Sequence, residues 1–75
     1  DQPKLISNLI TGSTISVSSP GVFEYAVYDL NGRILLRGQL QSGINTLSSG
    51  SLQPGMHLIR FTKGTAQWTE KLIRQ

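Results

Sequence analysis

Residues 22–40 read VFEYAVYDLNGRILLRGQL, and the fold turns on how that stretch is parsed. Phe23, Tyr25 and Val27 alternate with Glu24 and Ala26, the two-residue period of a strand that covers one face. Asn31-Gly32 follows. That pair tolerates positive φ at both centres of a type I′ turn, whose twist suits the strands on either side. Beyond it, Ile34, Leu36 and Leu40 alternate with Arg33, Arg37 and Gln39. The stretch predicts a β-hairpin.

The same punctuation recurs outward from the hairpin. Gly occurs eight times, and Thr11-Gly12-Ser13, Ser19-Pro20-Gly21, Ser42-Gly43, Pro54-Gly55 and Lys63-Gly64 all read as turns. Pro54-Gly55 suits the centre of a type II turn. Met56 to Phe61 then reads as a strand with both faces largely covered. The segment TKGT closes a hairpin onto Ala66–Arg74. There Trp68 and Leu72 also fit a helical period, but the tight turn, Thr65 and Thr69 favour a strand. Leu5–Ile10, Thr14–Ser18 and Ile44–Leu47 supply further short strands. Together these give about seven strands and no helix, an all-β, immunoglobulin-like sandwich of mostly antiparallel strands.

Seventy-five residues make one small domain. Such a chain buries about 60% of the surface its unfolded form exposes, which leaves no room for a deep catalytic cavity. No cysteine is present, which excludes disulfides and thiolate chemistry. Seven Lys and Arg against four Asp and Glu give a charge of +3. That balance favours polyanionic partners such as acidic glycan, phosphate-bearing lipid or nucleic acid. No run of eighteen apolar residues is present, so no membrane span is expected.

The search for reactive groups returns little. Asp1, Glu24, Asp29 and Glu70 are the only acids and His57 the only histidine. They form no acid pair, no nucleophile elbow and no metal-ligand cluster. No phosphate loop occurs. The domain is therefore not expected to be an enzyme, or to hold a metal or other cofactor. The cations and aromatics match no nucleic-acid module, so nucleic acid is not an expected partner. Trp68, Tyr28 and Tyr25 are the aromatics that could meet a sugar ring. A non-catalytic module for carbohydrate or an anionic surface, using Trp68 and Tyr28, is the alternative reading. A packed core role for Trp68 and for Tyr25 competes with it.

The stretch AVYDLNGRILLRGQLQSGINTLSSGSLQPGMHLIRF (residues 26–61) resembles the C-terminal sorting domain of type IX secretion cargo, the type A tail domain. The resemblance rests on Tyr28-Asp29, Gly32-Arg33, Gly43-Ile44-Asn45, Leu52 and Gly55, followed by the basic closing segment Glu70-Lys71-Leu72-Ile73-Arg74. It covers Phe23 to Gln75. The family's opening Tyr-Pro-Asn-Pro motif is absent, and His57 stands where the family usually has Tyr. The basic balance is also similar to that of basic terminal domains on secreted plant-cell-wall-degrading enzymes.

The resemblance implies a removable address label, residues 1–75 being the terminal piece of a longer secreted protein. Its cargo would pass through the periplasm of a Gram-negative bacterium to the surface or the medium. The implied partners are the outer-membrane translocon, a sortase-like peptidase and anionic lipopolysaccharide or polysaccharide. The resemblance assigns recognition to Lys71, Leu72, Ile73, Arg74 and Gln75, on an exposed terminal strand. It gives Asp29, Gly32, Arg33 and Gly55 as a second motif.

Overall fold

The computed structural model describes residues 1–75. Eight strands follow in order: β1 (Lys4–Leu5), β2 (Leu9–Ile10), β3 (Thr14–Ser19), β4 (Phe23–Tyr28), β5 (Ile34–Leu40), β6 (Gly43–Ser48), β7 (Gly55–Lys63) and β8 (Ala66–Arg74). They form a three-stranded sheet, β1-β3-β6, facing a five-stranded sheet, β2-β8-β7-β4-β5. Only the β2–β8 pair is parallel. The expected all-β sandwich is present, with one strand more than the sequence predicts. Leu5–Ile10, read as one strand, is cut in two. Ser7 Oγ donates to the Leu9 carbonyl at 3.1 Å and accepts from the Leu9 N–H at 3.2 Å. This local side-chain turn sends β1 into one sheet and β2 into the other.

The core lies where the inward rows of the two sheets meet. Ile15 and Val17 on β3 and Leu47 on β6 face Phe23, Val27, Leu40, Ile59, Phe61 and Leu72 of the larger sheet, all buried. One inward row runs in register across the large sheet: Trp68, Phe61, Tyr25 and Gly38. Gly38 lacks a side chain because the Tyr25 ring lies over it. A Cβ there would sit 2.9 Å from the Tyr25 hydroxyl oxygen. His57 is buried on the same inward face, with Nδ1 3.2 Å from the Gly55 carbonyl.

Three local expectations are corrected. The β4–β5 connection is not a type I′ turn, because no residue except glycine has positive φ. Instead Gly32 N–H donates to the Asp29 carbonyl at 3.1 Å and Gly32 has φ 86°, a type I turn closed by a left-handed glycine. Pro54-Gly55 makes an open bend, without the closing bond of a type II turn, and Gly55 opens β7. Third, β7 is covered on one face only. His57, Ile59 and Phe61 are buried, while Met56, Leu58 and Arg60 are exposed or half-buried.

The Ile34–Leu36–Leu40 alternation also breaks. Val27 pairs with Leu36 and Tyr28 with Ile34, so Leu35 bulges out of the ladder. Ile34 thereby turns to the outside, where it is exposed, and Leu40 stays inside.

Candidate functional site

The terminal strand β8 is half edge and half interior. It pairs with β7 over its whole length. On its other side, β2 covers only the end, through Ile73 N–H to the Asn8 carbonyl (2.8 Å) and Gln75 N–H to the Ile10 carbonyl (2.9 Å). By the two-residue period, the N–H and C=O groups of Gln67, Thr69 and Lys71 face the same side, where no strand lies beside them. The terminal strand that the resemblance implies to be exposed is therefore open at its edge over those residues and closed at Ile73 and Gln75.

The side chains of residues 71–75 divide by face. Leu72 is fully buried in the core. Arg74 turns inward and donates to the Gly12 carbonyl and to Ser49 Oγ. Ser49 is itself buried and donates to the Gly12 carbonyl at 3.0 Å. Lys71 and Ile73 point outward, and Gln75 is exposed. Lys71 is thus the only cation of the segment whose side chain makes no hydrogen bond or ion pair. Ile73 stands beside Leu9 and Met56 in register, and all three are exposed.

The Asp29, Gly32 and Arg33 motif is a turn lock. Asp29 Oδ1 accepts the N–H groups of Asn31 and Arg33, each at 2.9 Å. Oδ2 meets Arg33 Nε at 3.1 Å. The Arg33 N–H holds the Asp29 carboxyl below the ordinary carboxylate range. Partial burial opposes this, and the Asn31 N–H and Arg33 guanidinium assist it. A carboxyl with a depressed pKa stabilises the fold above its unfolded-state pKa, and that contribution disappears as pH falls through the folded value. Asp29→Asn keeps an acceptor and removes the charge. It should lower the urea midpoint at neutral pH, and the gap from the parent should close in strong acid.

Gly43-Ile44-Asn45 is a second lock, at the corner where the chain leaves the large sheet for the small one. Asn45 Oδ1 accepts the Gln41 N–H at 2.9 Å, and Nδ2 donates to the carbonyls of Gln41 (2.8 Å) and Gly43 (3.2 Å). Leu52 anchors the following loop in the core. The two aromatics of the alternative reading do not share a surface. Trp68 is inward and half-buried, edge-on to Phe23 with ring centroids 5.7 Å apart. Tyr28 is outward, with the Arg60 guanidinium 4.8 Å from its ring centre. No three His, Asp or Glu side chains gather in a metal-binding group.

The residues quoted above therefore stand as corners, a buried anchor and a closing strand of one small sandwich. The family model of the secretion system C-terminal sorting domain matches residues 10–75. The chain belongs to that family. No curated protein matches the chain. A sorting domain of this kind is a signal and not a catalyst: it sends its cargo through the type IX system, across the outer membrane to the cell surface or beyond. No helix of the sorting domain is long and apolar enough to cross a membrane.

Proposed function

We propose that the export machinery reads this sorting domain at its terminal strand, β8. The translocon docks on the outward side chains Lys71 and Ile73 and on the open backbone edge, and a sortase-like peptidase later removes the domain. The observation that carries this reading is the division of residues 71–75 by face. Leu72 and Arg74 are committed to the fold, whereas Lys71 and Ile73 contact solvent. An open edge lets a partner add a strand, an exposed apolar cluster marks a contact surface, and a free cation adds steering and selectivity. Asp29, Gly32, Arg33 and Gly55 serve that strand indirectly: the first three fix the β4–β5 hairpin and Gly55 opens β7, the strand that joins this hairpin to β8.

The test is a fusion of the 75 residues to a reporter that folds in the periplasm, in a host with the type IX system. Lys71→Glu with Ile73→Thr should cut extracellular reporter by about tenfold or more, because the reading makes both positions hot spots, each contributing over about 1 kcal/mol. Both positions are outward, so thermal unfolding should barely move. Normal export by a folded double variant would refute recognition at this strand.

A further inference from the structure

The outward face of the large sheet carries a feature that sorting does not explain. Arg37, Ala26 and Arg60 lie side by side on β5, β4 and β7. Neighbouring strands are about 4.8 Å apart, so the two arginine Cα atoms stand about 10 Å apart across an alanine floor. Between them is an open hollow of about 550 Å³, whose wall includes Tyr28, Gln39, Thr62 and Glu24. Neither arginine has a carboxylate partner, because the one ion pair of the chain is Asp29–Arg33. Arg60 is half-buried and held in place by the Tyr28 hydroxyl and ring.

Two arginines that flank one small residue can together seat a planar oxyanion, which a guanidinium grips with paired N–H donors. The rest of the wall decides what carries that oxyanion. A protein partner would call for an apolar centre. Here the next row is Gln39, Glu24 and Thr62 in register, a set of amide, carboxylate and hydroxyl groups that pair with sugar hydroxyls. We infer that the hollow binds an acidic sugar, the carboxylate of a uronate residue lying between Arg37 and Arg60 and its hydroxyls meeting Glu24, Gln39 and Thr62. This site is separate from β8, so it stands or falls independently of the sorting reading.

The experiment is an NMR titration of the ¹⁵N-labelled 75-residue chain at constant ionic strength. The probes are trigalacturonate, neutral xylotriose and inorganic phosphate. Trigalacturonate should give saturable shifts centred on Ala26, Arg37 and Arg60, and xylotriose none. Arg37→Gln should weaken binding about tenfold or more, as expected for loss of a charge-assisted bond. Ala26→Ile, which fills the floor and keeps both cations, should do the same. Lys4→Gln, which removes equal charge elsewhere, should leave affinity unchanged. Equal loss with Lys4→Gln, or shifts spread over all the basic residues, would reduce the site to general charge attraction and overturn the inference. Phosphate binding as tight as trigalacturonate would overturn the sugar assignment, and so would xylotriose binding equally well.

Discussion

Removing residues 71–75 should unfold the domain, not merely silence its signal. The deletion takes Leu72 out of the core, where it is fully buried. Loss of a buried leucine side chain alone costs about 2–5 kcal/mol. The deletion also removes the N–H groups of Ile73 and Gln75 that hold β2 in the sheet, and β2 carries the buried Ile10. The Arg74 bonds that tie the end of β8 to Gly12 and Ser49 go as well. A chain of 75 residues has a total stability of about 4–11 kcal/mol, so these losses together approach the whole. The truncated chain should show no cooperative melting transition and should bind a hydrophobic dye. A cooperative transition close to that of the intact chain would contradict the placement of Leu72 and β2. Export lost on truncation therefore does not locate the recognised residues, whereas Lys71→Glu with Ile73→Thr does, because it leaves Leu72 and the β2 bonds in place.

What the sequence disclosed, and what it withheld, follows from the range of the interactions. Strand β4 was legible because its inward residues alternate, β7 because a short apolar run follows Pro54-Gly55, and β8 because a tight turn and Thr65 and Thr69 outweigh a competing helical period. The family resemblance was legible because its motif residues sit at fixed short spacings. Asn45 shows the limit of that information. The motif Gly43-Ile44-Asn45 is visible in the sequence, but its function as the clamp on Gln41 at a sheet-to-sheet corner appears only once β5 and β6 belong to different sheets. The Leu35 bulge was hidden because a bulge adds a residue without changing composition, and it reversed the side of Ile34. The face division of residues 71–75 depends on which strand pairs with β8, and the parallel β2 contact comes from the other end of the chain. The Arg37–Ala26–Arg60 row was beyond reach for the same reason, since three separate strands must be in register to build it.

Phe61→Ala should produce the largest loss from any single side chain. Phe61 is the largest fully buried residue and the centre of the aromatic row on the inward face. In register it lies between Tyr25 and Trp68, and Trp68 in turn packs edge-on to Phe23. Truncating a buried phenylalanine costs about 3–5 kcal/mol, from lost transfer energy and from the cavity that stiff neighbours cannot fill. Rings on both flanks make collapse into that cavity difficult. In a domain of 60–100 residues each kcal/mol moves the melting temperature by about 4–8 °C, so the transition should fall by more than about 12 °C. Ile59→Val, at the neighbouring inward position, should cost only about 0.5–1.5 kcal/mol. Calorimetry on the two variants checks the contrast, and a fall of only a few degrees for Phe61→Ala would mean that the two sheets are not joined through this row. The pair also bears on recognition. Phe61→Ala leaves Lys71, Ile73 and the open edge of β8 in the sequence unchanged, so a translocon that reads an unfolded peptide would still export the cargo. One that reads the folded strand should lose it in step with the folded fraction, and Ile59→Val should then export normally.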